Sequence, residues 1–531
     1  MLVIHNAKIH TLDSAQSFAT ALVIDRERIL AVGMDDEILR TYTTSNPLNV
    51  QGHTILPGLT DAHIHLEEYA LFQQKVDCET HTLSECLQRV AARVINTPPG
   101  EWILGHGWNQ NSWSEGYGSA KLLDEVSVQH PIFLTHKSLH CVWANNLAMR
   151  IAGIDRNTSD PAGGRIGHLE NGNPDGILFE SAMSLLERVV PEPSLQQVIT
   201  ALRSTQQQFW KMGLTGAHDF DRGRCFSALQ VLQQAEELKL RVVKSIPLED
   251  LHRAIALGLR TGFGDNMLRI GSVKLFADGA LGPQTAAMLQ PYEDNPHNHG
   301  LMMMDAEEIY EYGQKAARNG ISLAVHAIGD RANHEVLNAY EQLREFEHSH
   351  PSLVIHPLRH RIEHVQILHP DDIQRFSDLN IIASMQPIHA TSDMLMSDRY
   401  WGRRSAYAYA WREQLLHGTT LIFGSDAPVE SPNPFWGIHA AVTRQRADGT
   451  PSAQGWYPEQ RLSVTEALHA YTTGPAYAAG MDDRIGILAP GYHADLIILN
   501  FDPFSCLPEE LLGVHSIATM VEGKWVYSEL E

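Results

Sequence analysis

Cysteine is scarce in this chain. Five occur in 531 residues (Cys78, Cys86, Cys141, Cys225 and Cys506), an odd number, widely spaced and with no CxxC pair. That spacing argues against both a disulfide framework and a thiolate zinc site. No apolar run reaches about 18 residues, so no membrane-spanning helix is expected. The opening MLVIHNAKIHTLD lacks the basic start and continuous apolar core of a signal peptide. Basic charge is also short: 40 Lys and Arg face 63 Asp and Glu, a net charge of −23, and no Lys/Arg block interrupts that excess. Nucleic acid and anionic membranes are therefore not expected partners. Internal repeats and low-complexity tracts are absent. These absences describe a reduced, soluble, cytoplasmic protein, with a homodimer as the one assembly considered.

What is present is ordinary globular material, 43% hydrophobic and 19% charged, with an unusual wealth of 29 histidines. Both ends read as β-structure. ALVIDRERILAVG places two apolar runs around a polar turn, and IATMVEGKWVYS does the same around EGK. The two ends are expected to build one composite β-sandwich from residues 1–54 and 481–531. The middle, residues 55–480, alternates strand-like and helix-like segments, the pattern of a parallel α/β fold. Eight candidate strands fall at 54–66, 214–220, 241–248, 268–279, 321–330, 359–365, 381–387 and 419–428. Eight such units predict a (β/α)8 TIM-like barrel. The gap after the first strand is too long for one crossover, so residues 75–190 or so are expected to form an inserted subdomain.

Barrel enzymes place their chemistry at the C-terminal ends of the strands. The first strand ends in DAHIHL with His63 and His65, which share a face at i and i+2. Later strands carry Lys274 in SVKLFADG, His326 in LAVHAIGD, His364 in RIEHV and Asp426 in IFGSDAP. Imidazoles and a carboxylate suit zinc, iron or manganese. Histidine spacing alone decides little: His297 and His299 in NPHNHG, and His348 and His350 in HSHP, repeat it in turn-like surroundings and are expected to be solvated loop residues. Lys274 needs a separate argument, because an ammonium beside metal ions is repelled and costly to bury. A neutral buried amine can add carbon dioxide, and the resulting carbamate has two oxygens with which to bridge two metals.

The order HxH, Lys, His, His, Asp over eight α/β units resembles the amidohydrolase superfamily. The stretches PGLTDAHIHL, GHGWNQNSW, VKLFADGALGPQTA, AVHAIGDRA, RIEHVQ and GSDAPV are similar to its YtcJ-type branch, which includes N-substituted formamide deformylases. The resemblance spans essentially the whole chain. It implies that His63, His65 and Asp426 hold a more buried metal and that His326 and His364 hold a more exposed one. Carbamylated Lys274 would bridge the two ions, expected to be zinc. It further implies a metal-activated hydroxide as nucleophile and Asp426 as the group that takes the water proton and returns it to a leaving amine. The expected reaction is hydrolysis of a linear amide or N-formyl C–N bond in a small molecule.

Three other readings compete. A mononuclear deaminase of the same superfamily typically has a Glu three residues after the strand-five histidine, where this chain has Gly329, and it would leave Lys274 without purpose. An ester or lactone hydrolase could use the same centre. A non-catalytic barrel would show a lost ligand, and none is missing. Five further residues are weaker candidates for substrate contact. Trp108, Asn109 and His140 lie in the insertion, where a plain structural role competes. His218 ends the second strand, and Asp278 follows Lys274 in the loop over the centre.

Overall fold

The computed structural model describes residues 1–42, 47–351 and 357–530, which form two compact units, Met1–Tyr69 with Leu202–Glu531, and Ala70–Ala201. No helix among the described residues is long and apolar enough to cross a membrane.

In the first unit, strands from both chain ends share a sheet. Thr54–Pro57 pairs with Lys8–His10 on one side and with Leu496–Leu499 on the other, and Ser516–Val521 and Lys524–Ser528 extend that sheet. A second sheet holds Leu2–His5, Ala21–Asp25, Arg28–Gly33 and Leu48–Asn49. Alternation along the strands sends Ile4, Leu22 and Ile24 from one sheet against Ile9, Ile55, Leu496, Ile498 and Met520 from the other. The run LIIL (Leu496–Leu499) is apolar on both faces because both are covered. Leu496 and Ile498 fill the sandwich, while Ile497 meets the turn at Gly213 that leads into the barrel.

The eight barrel strands are parallel and neighbour one another in sequence order: β1 (Leu59–Ile64), β2 (Leu214–Asp219), β3 (Arg241–Pro247), β4 (Leu268–Phe276), β5 (Leu323–Ala327), β6 (Arg361–His364), β7 (Ile382–Met385) and β8 (Leu421–Phe423). Closure comes just beyond the last strand, where Asp426 N donates to His63 O at 2.7 Å and His65 N donates to Ala427 O at 3.0 Å. The expected first strand is in fact two. Thr54–Pro57 belongs to the sandwich and β1 to the barrel, and the chain changes sheets at Gly58. Only glycine fits there, since an added Cβ would lie 2.2 Å from Thr215 Oγ1. The eighth strand is shorter than expected, ending at Phe423, and Asp426, three residues on, takes φ 59°.

Sandwich and barrel are also joined by charge. Arg241 at the start of β3 meets Asp495, one residue before Leu496, through Nε (2.5 Å) and Nη2 (3.0 Å), and both side chains are buried. Of the spare histidine pairs, His297 and His299 are exposed in a loop, as expected. His348 differs, lying on the last turn of the helix Asp330–Ser349, although it too is exposed.

The second unit, taken by itself, is a six-stranded mixed sheet ordered Gly164–His168, Pro174–Glu180, Cys141–Ala144, Ile132–His136, Ile103–Trp108, Val76–Asp77. Trp108, Trp113 and Trp143 pack together in its core with Leu123, Ile132 and Leu134.

Candidate metal centre

β1 delivers His63 as its penultimate residue and His65 one step past its end. The backbone bonds that close the barrel bring Asp426 to them, so that Asp426 Oδ1 lies 3.5 Å from His63 Nε2 and 3.5 Å from His65 Nε2. That separation is long for a hydrogen bond. It matches the spacing of about 3.4 Å between neighbouring ligands of a tetrahedral ion with metal–ligand bonds of about 2.0–2.1 Å. The donor set, two imidazoles and a carboxylate, fits a divalent transition metal. His63 Nε2, His65 Nε2 and Asp426 Oδ1 meet at one point because the β8 exit crosses β1 closely. An added Cβ on Gly424 would lie 2.4 Å from His63 N.

Three imidazoles are oriented from behind through Nδ1, the arrangement that leaves Nε2 available to a metal. His63 Nδ1 lies 2.6 Å from Glu363 Oε2, His65 Nδ1 lies 3.2 Å from Asp221 Oδ1, and His364 Nδ1 lies 2.9 Å from Gln386 Oε1. Glu363 is in turn gripped by Arg361, whose guanidinium also reaches Ala62 O and Ser384 Oγ at 2.7 Å. Asp221 accepts from Glu67 N, and Lys244 donates to the backbone carbonyl of Asp221 and pairs with Asp219 at 2.9 Å. The sequence pattern does not distinguish Arg361, Glu363, Asp219 and Asp221 from other charged residues. The signal available was a run of charge inside strands that otherwise read as buried.

Electrostatics favour neutral imidazoles at most of these positions. Burial, with the nearby Lys274 charge, lowers His63 to about 4 and His326 to about 4, and burial beside other imidazoles takes His364 well below its ordinary value. His65 is the exception: burial opposes its charge, but Asp221 and Asp426 overcome it and raise the group to about 10. The same two carboxylates would attract a metal cation. Asp426 is buried, yet His65 at 3.5 Å and the surrounding imidazoles hold it well below the usual carboxylate range.

Lys274 lies on β4, buried, with Nζ 4.6 Å from the Phe220 ring centre and 5.1 Å from that of Phe276. Among the described residues it forms no ion pair, and burial lowers its pKa to about 8. His326 stands beside His364, ring centres 4.5 Å apart, but its Nε2 faces Gly279 O at 2.9 Å. The structure thus gathers His63, His65 and Asp426 into one three-donor cluster and sets Lys274, His326 and His364 around it. A further residue joins them that the sequence did not reveal. His389 forms a second three-donor cluster with His364 and Asp426. It lies four residues beyond the end of β7.

The weaker candidates separate. His218 is buried, with Nδ1 3.0 Å from Arg361 Nη1. Asp278 is buried beneath the loop after β4, accepting from Ala287 N, Ile328 N and Gly329 N at 2.8–3.0 Å. It also lies 3.6 Å from His326 Nε2. In the other unit, Trp108 has no exposed surface and its indole donates to Leu134 O at 2.9 Å. Asn109 caps a short helical turn by accepting from Asn111 N, and His140 is 71% exposed beside Glu180.

A closed eight-stranded parallel barrel with histidines and an aspartate converging beyond its strand ends is the architecture of a metal-dependent hydrolase. The chain belongs to the amidohydrolase family, whose family model matches residues 48–527. Protein LONG AFTER FAR-RED 3 of Arabidopsis thaliana is 33% identical, over 99% of this chain and 91% of that protein. The N-substituted formamide deformylase of Arthrobacter pascens is 29% identical, over 98% and 97%. Among solved structures, an uncharacterised metal-dependent hydrolase from Pyrococcus furiosus superposes with a TM-score of 0.77 at 28% identity, over 95% of this chain and all of that one. The resemblance read from six ordered motifs is borne out, as is the barrel fold.

Proposed function

We propose that this protein hydrolyses a non-peptide C–N bond, of linear amide or N-formyl type, in a small molecule, at a centre of two divalent ions taken to be zinc. The observation that carries the reading is Asp426 Oδ1, equidistant at 3.5 Å from His63 Nε2 and His65 Nε2. His63, His65 and Asp426 would hold one ion. His364, with His326, would hold the other, and Lys274 as its carbamate would bridge. Bound there, the ions would supply Lewis-acid polarisation of the scissile carbonyl and acidification of a water.

The chain's own residues do the rest. Glu363, Asp221 and Gln386 each fix a ring by its Nδ1, leaving Nε2 turned inward. Asp426, carboxylate at neutral pH, would accept a proton from water at its free oxygen and hand it to the leaving nitrogen. The two nearby rings, Phe220 and Phe276, cover Lys274 and exclude water from its amine. His218 and Asp278 act through Arg361 and through the loop above His326.

Gly329 weighs against the mononuclear deaminase. A Cβ there would lie 1.9 Å from Ala287 O, so no glutamate can stand at that position. The C–N assignment is supported by the full-length likeness to a formamide deformylase. The test is a panel of N-formyl, N-acetyl and N-aryl amides, with matched esters and lactones, offered to the metal-loaded chain. Preferred turnover of amides is the expected result. Preferred turnover of esters would replace the C–N reading, and a metal-loaded chain that turns over nothing would favour the non-catalytic barrel.

A further inference from the structure

The helix Pro387–Trp401 begins directly after β7, and its third residue is His389. This imidazole is 7% exposed, and its Nε2 is buried without any hydrogen-bond partner. Buried polar atoms in folded proteins are almost always paired, so an orphaned ring nitrogen calls for an explanation. Its surroundings offer one. Ligand atoms of His364, His389 and Asp426 all lie within 4.8 Å of one another. The two rings are nearly parallel (11°), with centres 6.4 Å apart. His364 has its Nδ1 committed to Gln386 Oε1 at 2.9 Å, which leaves Nε2 as its free donor. Asp426 is shared between this cluster and that of His63, His65 and Asp426.

His326, the other imidazole expected at the second ion, is differently engaged. Its Nε2 lies 2.9 Å from Gly279 O and 3.6 Å from Asp278 Oδ1, and it belongs to neither cluster. A second ion placed by the available lone pairs would therefore sit toward β7. We propose that His389 is a metal ligand, holding the second divalent ion together with His364 and Asp426, with Asp426 shared between both ions. Two nitrogens and an oxygen suit zinc, and also cobalt or manganese. The proposal rests on the two-ion reading of the centre and puts His389, from a helix, in the place which that reading gives to His326.

Cobalt(II) titration of the full-length, metal-stripped protein tests it, read by visible absorption of the bound ion and by metal content after desalting. Wild type should take up two equivalents. His389→Ala should keep the first and bind the second on the order of 100-fold more weakly. His389→Cys should retain two equivalents and add a thiolate-to-cobalt charge-transfer band, a signature that a merely structural residue would not produce. An unaltered second equivalent in His389→Ala overturns the proposal, as does a His389→Cys protein without the new band. The Cys variant carries the test if the Ala variant does not fold. A wild type that binds a single ion, kept unchanged by His389→Ala, overturns the His389 assignment while leaving a metal centre in place. A wild type that binds none overturns the two-ion reading along with it.

Discussion

Glu363 Oε2 lies 2.6 Å from His63 Nδ1, with both side chains withdrawn from solvent. The next residue, His364, serves the same centre, although neighbours on a strand normally face opposite ways. Backbone conformation resolves this: His364 takes φ 76° and Val365 φ 46°, so alternation ends at the strand's last residue. Asp426 uses the same device at φ 59°. Left-handed backbone at non-glycine residues costs of order 1–3 kcal/mol each and tends to cluster at functional sites.

Glu363→Gln keeps the shape of this contact and removes its charge. Arg361 would be left buried opposite a neutral amide, and His63 and Arg361 would compete for one amide oxygen where two carboxylate oxygens now serve them. Metal affinity should fall about 10–100-fold, measured by competition with a chelator. The thermal midpoint should fall as well, because removing one partner of a buried pair costs about 3–5 kcal/mol. Unchanged metal affinity would show that Glu363 serves Arg361 alone.

Lys274→Ala removes the proposed bridge. Metal content should drop from about two ions per chain to one or fewer, with activity lost and partly restored by short carboxylic acids. A pKa of about 8 leaves roughly one Lys274 amine in ten neutral at pH 7, far more than for an ordinary lysine. Metal uptake by stripped protein should therefore quicken between pH 7 and pH 9, and on adding bicarbonate. Uptake indifferent to both would count against the carbamate.

Arg241→Ala leaves Asp495 buried and unpaired between the barrel and the sandwich. A loss of about 3–5 kcal/mol is expected. Burial opposes the Asp495 charge, but Arg241 outweighs it and holds the carboxyl below its ordinary value. A depressed folded-state pKa contributes stability above the unfolded value of about 3.9, and that contribution is lost as pH falls through the folded value. Wild type should lose this contribution in acid, and the variant, lacking it, should show a flatter profile below about pH 4 in thermal melts at stepped pH.

Gly424→Ala sets a methyl 2.4 Å from His63 N and 2.7 Å from Asp61 Oδ1, and backbone cannot yield as a flexible side chain would. The strand exit must move away from β1, at a cost of about 1–3 kcal/mol. Asp426 moves with it, so cobalt affinity of the His63–His65–Asp426 set should fall in the same variant. A destabilised protein with unaltered cobalt binding would separate closure of the barrel from assembly of the centre.

Much of the architecture was legible in the chain because period and punctuation carry it. The apolar runs at β2 to β8, each followed by polar residues, mark strands whose ends must point one way. Pro57-Gly58 marks the passage from sandwich to barrel, and the Arg28 and Lys524 strands were evident from their hairpin turns. Lys274 stood out as a cation in an apolar strand. The groups that hold the candidate ligands were less visible. Glu363 and Asp221 look like neighbours of more conspicuous histidines, and nothing local says that Glu363 reaches His63, three hundred residues earlier. His389 lies in a helix, outside the strand-end pattern that found the others.

The sequence by itself determined the order of elements and the barrel, and marked His63, His65, Lys274, His326, His364 and Asp426 as candidates, because hydrophobic periodicity and residue chemistry are local properties. Only the tertiary structure decided which lone pairs meet. Convergence of Asp426 on two imidazoles depends on hydrogen bonds between the first strand and the exit of the eighth. The commitment of His326 Nε2 to a loop carbonyl, and the orphaned nitrogen of His389, depend on how loops and a helix pack over the strand ends. Those distances are set by contacts between residues far apart in the chain, which no local pattern encodes.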